Sequence, residues 1–380
     1  MQEDRLAKPR TSEAPSQAPP AALERILIVR PTALGDVCRT VPALVTLRRA
    51  HPGARIDWLV NEPFLDAIRC HPDLTEAIPF PRARFGRAWR SPAVAGEALR
   101  WVRGLRGRGY DAAFDLQGLA RSGFITRATG ARLRIGFADA REGAFLAYNR
   151  RVRVDAGAHT VDQMLGLLEA VGYPPVRDLR LYAPPQDIAW RREVFEERGL
   201  DADAPYACIA PTAQWLCKCW PIENFQEIAR RLLVEAPGGI GAIVVIAAGS
   251  ERGMVQPLLD GFEGDHRVIA PATSVGRMMA LVRDGALLVG NDSAPLHVAV
   301  GFDRPIVAIF GPTDPAAVGP YGREDSVIRA PVAADARPYR RHRDDQTLIG
   351  RVSVEAVWEK MEETLEKQDR IRFEKCRPQR

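Results

Sequence analysis

The stretch ALLVGNDSAPLHVAVG, residues 286 to 301, opens as an apolar run and breaks at Gly290. Asn291, Asp292 and Ser293 follow, and His297 comes one helical turn later. The pattern reads as a buried strand, a sharp turn, and a helix that Asp292 or Ser293 can cap. The same corner presents free backbone N–H groups and the positive end of a helix dipole, which suits an anion. Taken alone it supports both readings, because strand–turn–helix corners are common in α/β proteins.

Outward from this stretch the same grammar recurs. Near the start, RILIV at 25–29 is an apolar run, followed by the glycine-containing loop PTALGD at 31–36 and the helical pattern VCRTVPALVTLRRAHP. ARIDWLVN and YDAAFDLQG read as further strands, spaced as in repeated βα units with a parallel sheet. A Pro-rich stretch, GYPPVRDLRLYAPP at 172–185, interrupts the pattern and has the character of a linker. After it the grammar restarts. YACIA is a strand, ENFQEIARRLLVEA a helix, and GAIVVIAAGS a strand apolar enough to be buried on both faces. HRVIAPA, a helix around RMMALVRDGA, the strand ALLVGND and the strand PIVAIFG complete a second half, and SVEAVWEKMEETLEKQ is an amphipathic helix. Two doubly wound α/β halves with a cleft between them is the simplest architecture. Ligands in such sheets sit at the carboxyl ends of strands, so the loops at 31–36, 211–218, 249–252 and 290–297 should face the cleft.

Composition agrees with this and narrows the classes. At 380 residues the chain is comfortable for two domains of ordinary size. No uninterrupted apolar stretch approaches the roughly 20 residues that a membrane span needs. The first residues, MQEDRLAKPRTSEAPSQAPPAA, have no apolar signal segment and read as a disordered tail on a cytoplasmic protein. Cysteines at 38, 70, 208, 217, 219 and 376 form no disulfide framework. Cys217 and Cys219 flank Lys218, but with Cys208 as the one further cysteine nearby no metal site is expected. The formal charge is +5 and unevenly placed: from Phe80 to Arg108 arginine far outnumbers acid. That segment is either a solvated helix face or a contact for an anionic partner. No nucleic-acid module accompanies it, so a phosphorylated substrate or an acidic membrane surface is favoured over nucleic acid.

Three residues stand out as chemistry. Every lysine other than Lys218 lies at position 8 or beyond 359, so Lys218 marks a place that wants a compact point charge. It follows Pro211-Thr212-Ala213, after a strand and before a helix, where phosphate oxygens can be held. Glu251 follows the strand VVIAAGS, where α/β nucleotide sites place a carboxylate on ribose, although a Glu at a helix start is ordinary. Asp36, in the loop after the first strand, can accept a proton from an attacking hydroxyl, or it can serve the following helix as a cap.

Taken together, ILIVRPTALGDVCRTVPAL, DLQGLARSG, AREGAFLAYNRRV, HTVDQMLGLLEAVGYP, KCWPIENF, NDSAPLHVAV and PIVAIFGPTDP occur in an order that resembles glycosyltransferase family 9, the lipopolysaccharide heptosyltransferases. The resemblance runs from about Arg25 to Tyr321 and more loosely through the final helix. It implies a GT-B fold, in which two Rossmann-like doubly wound domains face a central cleft, and an inverting reaction with no cofactor and no essential metal. The domains then divide as a disordered tail at 1–24, an acceptor-binding domain at 25–178, a linker at 179–186, a nucleotide-sugar domain at 187–345, and a C-terminal helix and tail at 346–380. By the same resemblance Asp36 is the general base. Thr212, Lys218, Glu251, Thr273, Asp292, Ser293, Ala294 and His297 bind the nucleotide sugar, and Gln117, Arg121 and Arg141 line the acceptor pocket. The implied donor is ADP-heptose and the implied acceptor a glycolipid, the Kdo/heptose-lipid A core, met by peripheral contact at the cytoplasmic face of the inner membrane.

The chain departs from the family pattern in three places. The donor turn usually reads Asp-Thr-Gly and here reads Asp292-Ser293-Ala294, which strains the alanine if the turn requires φ > 0. Arg121-Ser122 stands where Lys-Ser is common, exchanging a point charge for a fork. After GPYG the chain carries the arginine-rich PYRRHRDD, which has no assigned role. Two other readings stay open at this level: a family member using another nucleotide sugar for a different surface glycan, and a non-catalytic nucleotide-binding protein.

Overall fold

The computed structural model describes residues 22–331 and 345–375. Most of the tail and the arginine-rich segment at 337–343 therefore lie outside the described residues. The first half contains β1 (Arg25–Val29), β2 (Arg55–Asn61), β3 (Glu76–Phe80), β4 (Ala112–Asp115), β5 (Leu133–Phe137) and β6 (Arg150–Val152). Its helices are α1 (Leu34–Ala50), α2 (Arg82–Phe85), α3 (Pro92–Gly107), α4 (Ala120–Ala128) and α5 (Thr160–Glu169). The second half contains β7 (Tyr206–Ala210), β8 (Ala242–Val245), β9 (Val268–Ile269), β10 (Leu287–Asn291), β11 (Ile306–Phe310) and β12 (Val327–Arg329). With them go α6 (Pro185–Glu197), α7 (Ile222–Glu235), α8 (Arg252–Asp260), α9 (Val275–Asp284), α10 (Ala294–Gly301), α11 (Pro315–Val318) and α12 (Val354–Lys375).

Each half is one six-stranded parallel sheet. The orders are β3-β2-β1-β4-β5-β6 and β9-β8-β7-β10-β11-β12, so the chain reverses direction across the sheet beside β1 and again beside β7. These are the switch points at which a doubly wound sheet opens a crevice for ligand. Burial explains the sequence pattern: every residue of β4, β7, β8, β10 and β11 is buried, as continuous apolar runs require in a sheet covered on both faces. In α7 the buried residues are Phe225, Ile228, Ala229 and Leu232, the stripe spacing of an amphipathic helix.

The edge strand β3 has no counterpart in the strands expected from the sequence. Its residues EAIPF contain Pro79, which cannot donate to a ladder and is tolerated because β3 pairs on one side alone, with β2. From residue 173 to 184 the chain runs without regular structure between the halves, and α6 begins at Pro185. Helix α6 then packs against α9, and α1 packs against α10 across the seam. One apolar cluster accordingly continues from Ile26, Val41 and Phe114 of the first half to Tyr206, Met279 and Leu296 of the second.

Candidate active site

The first wall of the cleft grows from the carboxyl end of β1. Arg30 leaves the strand buried, and α1 starts at Leu34, which puts Asp36 at its third position. There the Asp36 carboxylate accepts the Ala33 N–H at 3.0 Å, the reciprocal half of a capping box, so it does serve the helix start. It is also gripped from two sides: Arg30 approaches Oδ2 at 3.2 Å and Arg39 donates to Oδ1. Burial by itself raises the carboxyl, but Arg30, Arg39 and the Ala33 amide outweigh it and hold Asp36 well below the ordinary carboxylate range. The loop before the helix is braced from β4. Asp115, fully buried, accepts the N–H groups of Gln117 and Gly118 at 3.0 and 3.1 Å and the Tyr148 hydroxyl at 2.7 Å. Gln117 in turn accepts the Thr32 N–H at 3.1 Å, so its side-chain carbonyl is committed to the loop that carries Asp36. Arg121 and Arg141 are exposed on segments that leave the carboxyl ends of β4 and β5.

The facing wall is built from β7, β8, β10 and β11. Gly290 is required by close approach, since a Cβ there would lie 2.8 Å from Ala210 Cβ and 2.9 Å from Ala210 O. Asn291, fully buried at the end of β10, accepts the Trp220 N–H at 3.0 Å and donates to Pro211 O at 2.6 Å. Its side chain thereby clamps both ends of the loop that carries Lys218. Lys218 Nζ lies 2.6 Å from Asp292 Oδ2, so these two expected donor-site residues form an ion pair. Ser293 occupies the cap position of α10, but its hydroxyl makes no cap bond and is buried without a partner among the described residues, as is that of Thr313. The expected strain at Ala294 is absent: among the described non-glycine residues positive φ occurs at Glu142, Ala236 and Asp303, and Ala294 simply opens α10. Glu251 accepts both the Thr212 hydroxyl and the Ala248 N–H at 2.9 Å, while Thr273 donates to Ala247 O at 3.1 Å. Beside them, between the ends of β8 and β9, lies a cavity of about 330 Å³ walled by Ala247, Gly249, Arg252, Pro271 and Thr273.

The two walls meet at His297. A Cβ on Gly35 would sit 2.6 Å from His297 Cδ2, so the glycine before Asp36 exists to let the imidazole of the opposite half approach. His297 is buried, and burial, reinforced by Arg39, keeps it neutral and well below its usual value. Around it, three successive carbonyls of the second half accept side chains of the first. Thr160 donates to Ala317 O at 2.9 Å, Arg39 to Val318 O at 2.7 Å and His159 to Gly319 O at 3.1 Å. Sequence reasoning passes over Arg30, Arg39, His159 and Thr313. Arg30 carries one weak signal, a charge ending an apolar strand; a single arginine inside a helical run carries none. Cys217 and Cys219 are buried, and among the described residues no group of three His, Cys, Asp or Glu side chains converges on a point.

Known proteins share this fold. Residues 98–346 match the family model for glycosyltransferase family 9 (heptosyltransferase). Lipopolysaccharide heptosyltransferase 1 of Escherichia coli K12 is 30% identical over 312 residues, covering 81% of this chain and 94% of that protein. The protein of the same name from Pseudomonas aeruginosa is 31% identical over 310 residues, covering 79% and 82%. In the structure of E. coli heptosyltransferase WaaC with ADP-2-deoxy-2-fluoro heptose the same fold is present, with a TM-score of 0.69, 28% identity, and 89% and 99% of the two chains covered. The two facing Rossmann-like halves are those of the GT-B fold, and the chain belongs to glycosyltransferase family 9, the heptosyltransferases.

Proposed function

We propose that this glycosyltransferase moves a heptose from ADP-heptose to the Kdo/heptose-lipid A core of lipopolysaccharide, with inversion at the anomeric carbon. Its family and its relatives at about 30% identity support heptose transfer. One contact carries the assignment of the site: His297 against Gly35, which sets the donor turn one residue from Asp36. In the step, the acceptor oxygen bonds to the anomeric carbon and gives its proton to Asp36. The bond from that carbon to the diphosphate breaks, and its electron pair leaves on ADP. A carboxylate with depressed basicity suits this order of events, since an oxygen already bonding to a cationic carbon is a strong acid.

The rest of the donor site follows the same logic. Lys218, the amides of Ser293 and Ala294 at the start of α10, and His297 meet the charge growing on the diphosphate, with no metal and no cofactor in the step. Lys218 then exchanges part of its contact with Asp292 for phosphate oxygens. Glu251, held by Thr212, bonds the ribose, and the cavity beside Thr273 takes the adenine. Gln117, Arg121 and Arg141 serve the acceptor, with Gln117 acting through the Thr32 loop. No helix among the described residues is long and apolar enough to cross a membrane. The enzyme reaches its glycolipid by peripheral contact at the cytoplasmic face of the inner membrane, through the arginine-rich face of residues 82–106.

The test is thermal stabilisation by ADP, UDP, GDP and CMP, each at about 100 times its dissociation constant, where binding adds roughly 2.7 kcal/mol. Stabilisation by ADP alone supports the donor; a response to another nucleotide moves the function to a different sugar, and silence from all four favours a non-catalytic protein. Asp36→Asn should keep the ADP response and lose transfer. Unchanged turnover in that variant removes Asp36 as the base.

A further inference from the structure

We infer that Arg39 is a positioning residue that couples closure of the two halves to the aim of the Asp36 carboxylate. The inference rests on Asp36 being the base and goes beyond it, because it assigns a role to a residue that need touch neither substrate. Arg39 lies on α1 one turn after Asp36, is 8% exposed, and divides its guanidinium between the halves. One terminal nitrogen donates to Asp36 Oδ1 and the other to Val318 O at 2.7 Å. A guanidinium is a rigid planar fork, so the bond on the Val318 side fixes the direction of the bond on the Asp36 side.

A carboxylate offers about four lone-pair sites. The Ala33 amide takes one on Oδ2, where Arg30 also stands at 3.2 Å as an ion pair, and Arg39 takes one on Oδ1, which leaves the second lone pair of Oδ1 for the proton of the acceptor hydroxyl. When the halves part, Val318 withdraws, the fork is free to turn, and the open lone pair is no longer aimed. The carbonyls on either side of Val318 are held by Thr160 and His159, so the segment that clamps Arg39 is itself registered on α5. The charged and titratable groups facing Asp36 are Arg30 just after β1, Cys38 and Arg39 from α1 and His297 from α10, with His159, which caps α5, behind them.

The experiment compares Arg39→Ala, Arg39→Gln and Arg39→Lys with the natural enzyme in steady-state turnover, the pH profile of kcat/KM, and thermal response to ADP. Arg39→Gln is a shorter, neutral polar replacement that leaves less of a void than alanine and serves if Arg39→Ala does not fold. In it kcat should fall about ten- to a hundredfold, the loss expected of a mis-set reacting group. The KM for the sugar nucleotide and the ADP response should stay within about twofold, since among the described residues no side chain placed on the donor hydrogen-bonds Arg39, whose partners are Asp36 and Val318 O. The acid limb should rise by about one pH unit, because one of the two cations on Asp36 is gone. Arg39→Lys keeps a charge without the fork, so it should restore the acid limb and leave kcat low. Natural kcat and an unmoved limb in Arg39→Gln overturn the inference, as does full recovery of kcat in Arg39→Lys. Asp36→Asn run alongside separates the two failures: an active Asp36→Asn defeats the base assignment, whereas an inactive one beside an unaffected Arg39→Gln defeats the coupling alone.

Discussion

Gly35 is the smallest residue in the cleft and one of the most constrained. The space where a side chain would begin is the space His297 uses, since a Cβ there would lie only 2.6 Å from the ring. Both partners of that contact are built into helix first turns, so neither can yield without moving a helix. Gly35→Ala should still let α1 form, since alanine gains about 0.5–1 kcal/mol in helix propensity, but overpacking against His297 costs about 1–3 kcal/mol and outweighs that gain. The same change should push the halves apart and lower kcat/KM by about tenfold or more, as a displacement of the reacting groups does. A lower melting temperature together with a lower kcat/KM is the outcome that checks this; both unchanged show that the imidazole has room to withdraw. The motif Gly35-Asp36 is legible in the sequence as a loop signal and a candidate base, but the reason for the glycine is not, because it lies on a helix 262 positions further on.

At the scale of elements, α5 joins the two halves through its first residues. His159 caps it: Nδ1 accepts the Val161 N–H at 3.1 Å while Nε2 faces Gly319 O at 3.1 Å. One ring nitrogen accepts and the other donates, which is the neutral tautomer, and protonation destroys the cap. Burial lowers the His159 value below that of a free imidazole, and it does the same for His51, His71 and His297. The unfolded chain then binds more protons than the folded one as pH falls below about 6.5, so stability declines on the acid side of that value. Asp36, also lowered in the folded state, has the same sign of linkage, but its contribution is lost only below the free-carboxylate range of about 4, so the fall between pH 7 and 5 belongs to the histidines. A melting series over that interval should show the fall, and His159→Asn, which caps without titrating, should flatten it. Identical slopes in the two proteins exclude His159 as a contributor.

At the scale of the whole molecule, the N-terminal half carries a second kind of surface. The basic stretch folds into α2 and α3 with its apolar side inward, where Phe80, Phe85 and Trp101 pack at centroid distances of 5.6 to 6.2 Å. Its arginines point outward, Arg84 pairing with Glu97, and Trp89 is 76% exposed with Arg90 stacked over it at 4.1 Å. A charged face carrying an exposed aromatic ring suits an anionic bilayer surface better than plain solvent. Co-sedimentation with vesicles containing anionic lipid should be strong at about 0.05 M salt and weak near 0.5 M, where charge is screened within a few ångströms. Arg87→Glu combined with Arg90→Glu should abolish it. Binding indifferent to both salt and those substitutions leaves the face as a solvated helix surface.

What the sequence determined by itself is local: apolar runs buried on both faces became β4, β7, β8, β10 and β11, the helical stripe in ENFQEIARRLLVEA became α7, and glycine-containing corners marked the carboxyl ends where the site lies. These follow from the periodicity of burial and the chemistry of turns, which a few consecutive residues encode. The edge strand β3 is hidden in the sequence because Pro79 breaks the strand signature and only its one-sided pairing makes it admissible. The tertiary structure alone decided which side chains meet over long separations. Asn291 clamps the Lys218 loop over 71 and 80 positions, and Arg39 reaches Val318 over 279. No local pattern encodes such pairs, because the first needs β10 to lie beside β7 in one sheet, and the second exists only where two independently wound sheets bring their carboxyl edges face to face.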